Sequence, residues 1–408
     1  MASSSHFHYH QDDHQPDNED IFKDLFEDID KFLGENERVP RNFIDRHREE
    51  GQDLLWNDYF SDTPTYLHNV FRRRFRMNRT LFMRIVHRLS TEVRYFQERV
   101  DATGRSSLTA LQKCTAAIRQ LAYGVGADAV DEYVRMGETT ARGCLHNFAA
   151  GIIRLFGDEY LRRPTPEDLQ RLLYFGEQRG FPGMIGSIDY MHWKWKNCPT
   201  AWKEMYSRGT GKPTIVLEAV ASYDLWIWPS FFGAPDVING IAPQVNFYVN
   251  NHPYNLAYYL TDDIYPKWAT FIQSIRLPQT QKHYVFAQTQ EGVRKDVERA
   301  FGVLQARFAI VRNPSNIWDK RKIGNIMRAC VILHNMIVED ERSSRTQYNI
   351  AEFREREEAD TFTVNNPSPL GTPLERRTNL RNLETHQRLK NDLIENIWNK
   401  FGNLPNNI

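Results

Sequence analysis

The sequence predicts an α/β (α+β) fold: a mixed sheet with flanking helices, preceded by an all-helical domain. Three observations carry this. β-branched and aromatic runs are concentrated between residues 183 and 262. Apolar positions at helical spacing dominate before and after that zone. The breakers Gly176, Gly180, Pro182 and Gly183 sit where one pattern gives way to the other.

With 408 residues the chain is long enough for two or three domains and more than one sizeable core. Its 52 basic and 52 acidic side chains cancel, so net charge neither supports nor excludes nucleic acid. Cys114, Cys144, Cys198 and Cys330 are far apart and form no CxxC pair, which excludes a zinc ribbon and suits a reducing compartment. The polar, His-rich start is unlike a secretory signal, and no apolar stretch reaches bilayer-spanning length. The expectation is a soluble intracellular protein with no membrane contact.

Residues 1–52 read as a disordered tail carrying one amphipathic helix, marked by Ile21, Phe22, Leu25, Phe26, Ile29, Phe32 and Leu33. His6, His8 and His10 are part of that solvated tail. Residues 53–175 form the helical domain. Within it Phe71-Arg72-Arg73-Arg74-Phe75 interleaves bases with aromatics, which reads either as phosphate contact or as a helix start with a solvated basic face. Leu108, Leu111, Ala117, Ile118 and Leu121 mark a helix ending at Gly124; residues 128–134 form a short second helix. After a turn at Gly137 a third helix opens with Thr139 and Thr140. That is the helix-turn-helix layout, whose last helix can enter a major groove; three-helix packing without DNA has the same signature. Pro164-Thr-Pro-Glu-Asp168 starts one more helix, with acids at its positive end.

The next domain spans residues 183–338. Its organising stretch is Gly186-Ser-Ile-Asp-Tyr-Met-His-Trp-Lys-Trp195, read as a central strand carrying one carboxylate, Asp189. Residues 212–222 and 226–232 read as two further strands of a three-stranded antiparallel meander, and residues 247–249 and 255–262 as later strands. Residues 291–308 form an amphipathic helix whose stripe is Val293, Val297, Phe301, Leu304 and Phe308, with Glu298 beside it. An apolar helix covers about 322–338, residues 339–380 form a linker, and residues 381–402 hold a last helix with Leu383, His386, Leu389, Leu393, Ile397 and Phe401 on one face. Trp193, Trp195 and Trp202 are expected in the core, and His192, three residues after Asp189, on the opposite strand face.

Asp189 on a strand, Asp262 at the end of a later strand and Glu298 on a helix could converge at one end of the sheet. Such acids repel unless a cation relieves them, and hard oxygen donors suit Mg²⁺ or Mn²⁺. Two such ions could activate a water or 3′-hydroxyl and stabilise the leaving oxygen of a phosphodiester. Spacing alone is a weak argument, because three acids can be chosen in any chain of this size. Lys194, Lys196, Lys203, Arg208 and Lys212 follow the first strand and read either as contacts along a DNA backbone or as an ordinary solvated face.

Three ordered motifs bear on these acids: Gly186-Ser-Ile-Asp-Tyr-Met-His-Trp193, residues 258–271 from Tyr-Tyr-Leu-Thr-Asp-Asp onward, and residues 295–308 from Lys-Asp-Val-Glu-Arg-Ala-Phe onward, with Leu333-His-Asn-Met336 in support. On these the chain resembles the PIF/Harbinger transposase superfamily and its domesticated nuclease-like relatives, especially the plant branch. The resemblance implies an RNase H-like fold and a DDE triad of Asp189, Asp262 and Glu298 that binds Mg²⁺ or Mn²⁺. Asp263 falls at a position that is commonly glycine. It also implies DNA as substrate, a nuclear location with the cytoplasm as a second place, and a Myb-like or other nuclear protein partner; the oligomeric state stays open between a monomer and a homo-oligomer.

One departure stands out. The family carries a longer stretch, with an Asn-Asp-Ile-Asn-type motif on a helix, where this chain has only residues 233–246, fourteen in number with two prolines and two glycines. A parallel crossover needs a dozen or more residues including its helix, so the crossover is expected to be an extended loop or the sheet to be altered. Asp236 and Asn239 read as turn residues or remnants of that motif. Two functions follow: a metal-dependent DDE phosphodiesterase acting on DNA, or a catalytically impaired, transposase-derived nuclear factor that binds DNA or protein.

Overall fold

A computed structural model describes residues 45–100, 102, 104–207, 211–228, 243–345, 363–364 and 381–402. The tail helix of residues 21–33, Arg208, Asp236 and Asn239 lie outside the described residues. Seven helices come first among the described residues: α1 Arg48–Tyr59, α2 His68–Phe75, α3 Arg79–Glu92, α4 Ala110–Tyr123, α5 Asp128–Val134, α6 Glu138–Tyr160 and α7 Pro166–Gln178. Local chemistry sets their ends. The Asn78 side chain accepts from the Leu81 amide, and capping boxes start α4 (Thr109 with Gln112) and α7 (Thr165 with Asp168). Gly124 ends α4 at φ 61°, and a Cβ there would stand 2.6 Å from the Ala309 carbonyl carbon, so only glycine suits both the turn and the approach.

The aromatics of the basic-aromatic stretch point into the core. Phe71 and Phe75 stack at 4.2 Å inside a nest of Tyr59, Phe60 and Phe82. The helix-turn-helix layout of α4, α5 and α6 takes the expected spans, with Gly137 at the start of α6 and Thr139 and Thr140 exposed on its first turn.

The sheet consists of β1 Met184–Lys194, β2 Thr214–Ala221, β5 Tyr258–Thr261 and β6 Phe271–Gln273 in the order β2-β1-β5-β6. β1 pairs antiparallel with β2 and parallel with β5, and β5 pairs parallel with β6. A second sheet holds β3 Gln244–Val249, β4 His252–Leu256 and β7 Thr363–Val364. A short helix, α8 Lys203–Tyr206, interrupts the link from β1 to β2. Long helices α9 Gln281–Arg307 and α10 Lys320–Arg345, and the last helix α11 Leu383–Phe401, complete the architecture. The mixed α+β class is as expected.

Of the expected three-stranded meander, β1 and β2 pair along eight residues; of the third run only residues 226–228 are described, and there Ile227 makes a bridge to Ala221. The run expected as one strand over 255–262 is two: β4 pairs with β3, and β5 pairs with β1, with Ala257 at the change of sheet. Residues 233–242 of the stretch read as a shortened crossover lie outside the described residues; β3 and β4 follow it as a hairpin. The parallel β1–β5 pairing forms all the same, because β5 is fully buried and its backbone groups need ladder partners on both sides, β1 on one and β6 on the other.

α9 begins ten residues before the expected start, because Thr280 caps it through the His283 amide. Leu383 is 59% exposed rather than part of the α11 seam, while His386, Leu389, Leu393 and Ile397 are buried as read. Trp202 is 41% exposed and only leans on Trp195, whereas Trp193 and Trp195 are core. Residues 47–408 form one compact unit, with α10 lying along α6, so the turn at Gly180–Gly183 joins two parts that share a core. Gly183 adopts φ 84° against the Phe247 ring, where a Cβ would come within 2.3 Å of the ring.

Candidate active site

β1 brings Asp189 to the sheet edge. Ser187, two residues earlier, is in parallel register with Leu260, so the same register carried two residues further sets Asp189 beside Asp262, just past the end of β5. α9 runs across this edge: the Ser187 hydroxyl donates to the Val293 carbonyl at 3.4 Å, and the buried Gln290 amide donates to the carbonyls of Thr261 and Ile272, each at 3.1 Å. One turn further on stands Glu298. The three acids expected from sequence are therefore neighbours, drawn from a central strand, the end of a second strand and a helix.

A residue the sequence reading missed lies among them. Arg294 Nη1 donates to Asp189 Oδ2 at 3.2 Å, and its Nη2 pairs with Glu298 Oε1 at 2.9 Å. The other Asp189 oxygen accepts from the Tyr190 amide at 2.7 Å. Burial raises the Asp189 carboxyl above the usual aspartate range; the Tyr190 amide and Arg294 pull it down, and Glu298 and Asp262 push it up. Asp262 is exposed and accepts from the Asp263 amide at 2.7 Å; Asp263 itself pairs with Arg276. The signal for Arg294 was present in the sequence, since a base four residues before Glu298 on one helix is a ready ion-pair partner.

Tyr265 feels the charges of Glu218 and Asp189. Glu218 on β2 is half-buried, and burial raises its carboxyl. Tyr265 is buried and its phenol is raised by that burial and by the carboxylates of Glu218 and Asp189.

The donor set suits a hard divalent ion by chemistry, being carboxylate oxygen throughout. The spacing does not. Among the described residues no group of three acids, imidazoles or thiols stands close enough to hold a metal ion, and the guanidinium of Arg294 takes the place of a cation between Asp189 and Glu298. In this arrangement the acids are spaced for an arginine.

The basic candidates divide. Arg72 pairs with Glu341 at 2.5 Å, and Arg74 donates to the Tyr59 hydroxyl at 2.5 Å and lies over the Tyr66 ring, so both are engaged within the fold. Arg73 is exposed. Lys194 and Lys196 alternate outward with the buried Trp193 and Trp195, and Lys203 and Lys212 are exposed. His192 is exposed, hydrogen-bonded to Thr214 at 3.1 Å, and takes no part in the acid cluster.

Residues 158–345 match the family model described as plant transposon protein, a range that contains Asp189, Asp262 and Glu298. Residues 51–90 match a domain of unknown function (DUF8418). No curated protein and no solved structure matches the chain. The first match supports a transposase-related family for the sheet-bearing part.

Proposed function

Starting from a transposase-related region over residues 158–345, we propose that this chain carries a DDE-type phosphodiesterase site of the PIF/Harbinger kind, acting on DNA with Mg²⁺ or Mn²⁺. The observation that carries the reading is the convergence of Asp189, Asp262 and Glu298 from three separate elements at one sheet edge. Acids seldom collect in this way for stability alone, since each raises the cost of ionising the next. The exposed bases along the far end of β1 and on α8 offer a path for a phosphate backbone.

The test is nicking of supercoiled plasmid by the full chain with millimolar Mg²⁺ or Mn²⁺. Nicking should fall by about 100-fold or more in Asp189→Ala and in Glu298→Ala, the scale expected when a catalytic constellation is misplaced or broken. Nicking that persists in both variants would remove these acids from the chemistry.

A second reading has one observation in its favour. The double ion pair of Arg294 already neutralises the cluster, as suits a transposase-derived nuclear factor that binds DNA or a protein partner without cutting. Wild-type protein that retards DNA in a gel but never nicks it, at any metal concentration, would favour this reading.

A further inference from the structure

We propose that the cleft between α6 and residues 313–319 takes one unpaired nucleotide of a DNA strand, with the base against Trp318 and the phosphate at Lys322. This rests on DNA as the substrate in the reading above, and not on the chemistry at Asp189. The cleft has a volume of about 560 Å³; Arg142, Leu145 and His146 line one side of it and Ile317, Trp318 and Lys322 the other. That size lies within the roughly 300–1,000 Å³ of pockets that take small-molecule-sized groups, and a duplex does not fit in it. Trp318 is 69% exposed and its ring has no aromatic partner among the described residues. The backbone beneath it is held. The buried Trp193 and Trp195 donate from Nε1 to the carbonyls of Asn313 and Ile317, each at 2.8 Å, and the Asn313 side-chain amide donates to the Gly124 carbonyl at 3.1 Å. An open indole on a fixed backbone loses little freedom when a base stacks on it, and every base has a face to stack.

Charge points the same way. Both acids on the lining are engaged: Glu138 pairs with Arg142, and Asp319 accepts from the Arg321 amide at 2.8 Å at the start of α10. Lys322 is exposed and forms no ion pair among the described residues. His146 is half-buried and makes no hydrogen bond among the described residues. Burial, and then Lys322 and Arg142, hold its imidazole below the usual range, so it meets a base edge neutral, with one nitrogen to donate and one to accept. The cleft also continues the line of exposed bases after β1. The Lys196 amide donates to the Ser315 carbonyl at 2.9 Å, the Ser315 amide to the Lys194 carbonyl at 2.8 Å, and Asn197 Nδ2 to the Asn316 carbonyl at 2.7 Å. A strand whose phosphates follow Lys194 and Lys196 is thereby led to the lip that carries Trp318.

The experiment is fluorescence anisotropy of a short labelled oligothymidylate, and of a duplex of the same length, titrated with the full chain in the absence of divalent ions. Trp318→Ala should weaken single-strand binding by about fivefold or more, Trp318→Phe should keep most of it, and neither should change duplex binding. Lys322→Gln should weaken single-strand binding and flatten its logarithmic dependence on salt by about 0.7, the share of one phosphate. Single-strand affinity in Trp318→Ala equal to that of wild type would overturn the nucleotide site and leave the cleft to a protein partner, with plasmid nicking by wild type still to support the phosphodiesterase reading. An equal loss on single strand and duplex would also overturn it, because Trp318 would then serve paired DNA. No binding of either DNA by wild type would remove DNA as the substrate as well.

Discussion

His334 shows how a single side chain can report on the whole core. It belongs to the Leu333-His-Asn-Met336 motif, is fully buried, and donates from Nε2 to the Leu225 carbonyl at 2.8 Å. Its Nδ1 faces Arg307 Nη1 at 3.3 Å and accepts from it, which fixes the neutral tautomer. Burial first, and then the charge of Arg307, push its pKa down to about 3. The folded value lies below the unfolded one, so the stabilising contribution is complete above the unfolded value and is lost as pH falls toward the folded one. Between about pH 6.5 and 3 this residue should cost about 1.4 kcal/mol of unfolding free energy per pH unit. Urea unfolding across that range, wild type against His334→Gln, isolates the effect as a difference in slope. Identical slopes would mean that the imidazole is not held neutral. Asp189 has the opposite sense: its raised carboxyl adds stability below the ordinary aspartate value, and this is lost as pH rises through its folded value.

Among elements, the start of the run expected as a third strand is the informative case. Ile227 makes one bridge to Ala221, and its backbone is completed by a side chain: the Asn335 Oδ1 accepts from the Ile227 amide at 2.9 Å, and Nδ2 donates to the Ile227 carbonyl at 2.7 Å. The same Nδ2 also donates to the Tyr160 carbonyl at 2.9 Å, so one amide of α10 ties Ile227 to the end of α6. Asn335→Ala would leave these buried backbone groups unpaired and should cost about 3 kcal/mol, read as a lowered denaturation midpoint at unchanged slope. A loss under about 1 kcal/mol would show that water or a neighbour replaces the amide. The antiparallel return of the run at Ile227 beside Ala221 is as read, but its tie to Asn335 was not legible, since β-branched and aromatic composition does not say which side chain completes a strand's backbone. The same holds for β4 and β5, which read as one strand and serve two sheets.

At the scale of the molecule, the helical part and the sheet-bearing part are bound by shared core. α6 lies along α10, with Cys144, Phe148, Ile152 and Phe156 among its buried residues, and α11 packs on α9. Residues 47–408 should therefore unfold as one body. In guanidinium, fluorescence from the buried Trp193, Trp195, Trp226 and Trp228, which report the sheet, should trace the same transition as the far-ultraviolet dichroism of the helices. Two separated midpoints would show that the parts fold apart.

Local rules written in the sequence determined the helices: caps at Asn78, Thr109 and Thr165, the stop at Gly124, and the short-range order of α4, α5 and α6. The sequence also placed Asp189, Asp262 and Glu298 on distinct elements, because period and flanking breakers are properties of a few neighbouring residues. What lies between the acids was settled only in three dimensions. The parallel register of β1 with β5, the passage of α9 over their ends and the fork of Arg294 join residues that are 105 positions apart. Pairings at that separation depend on which buried surfaces and backbone groups remain to be satisfied once every element is in place, and no local pattern contains that information.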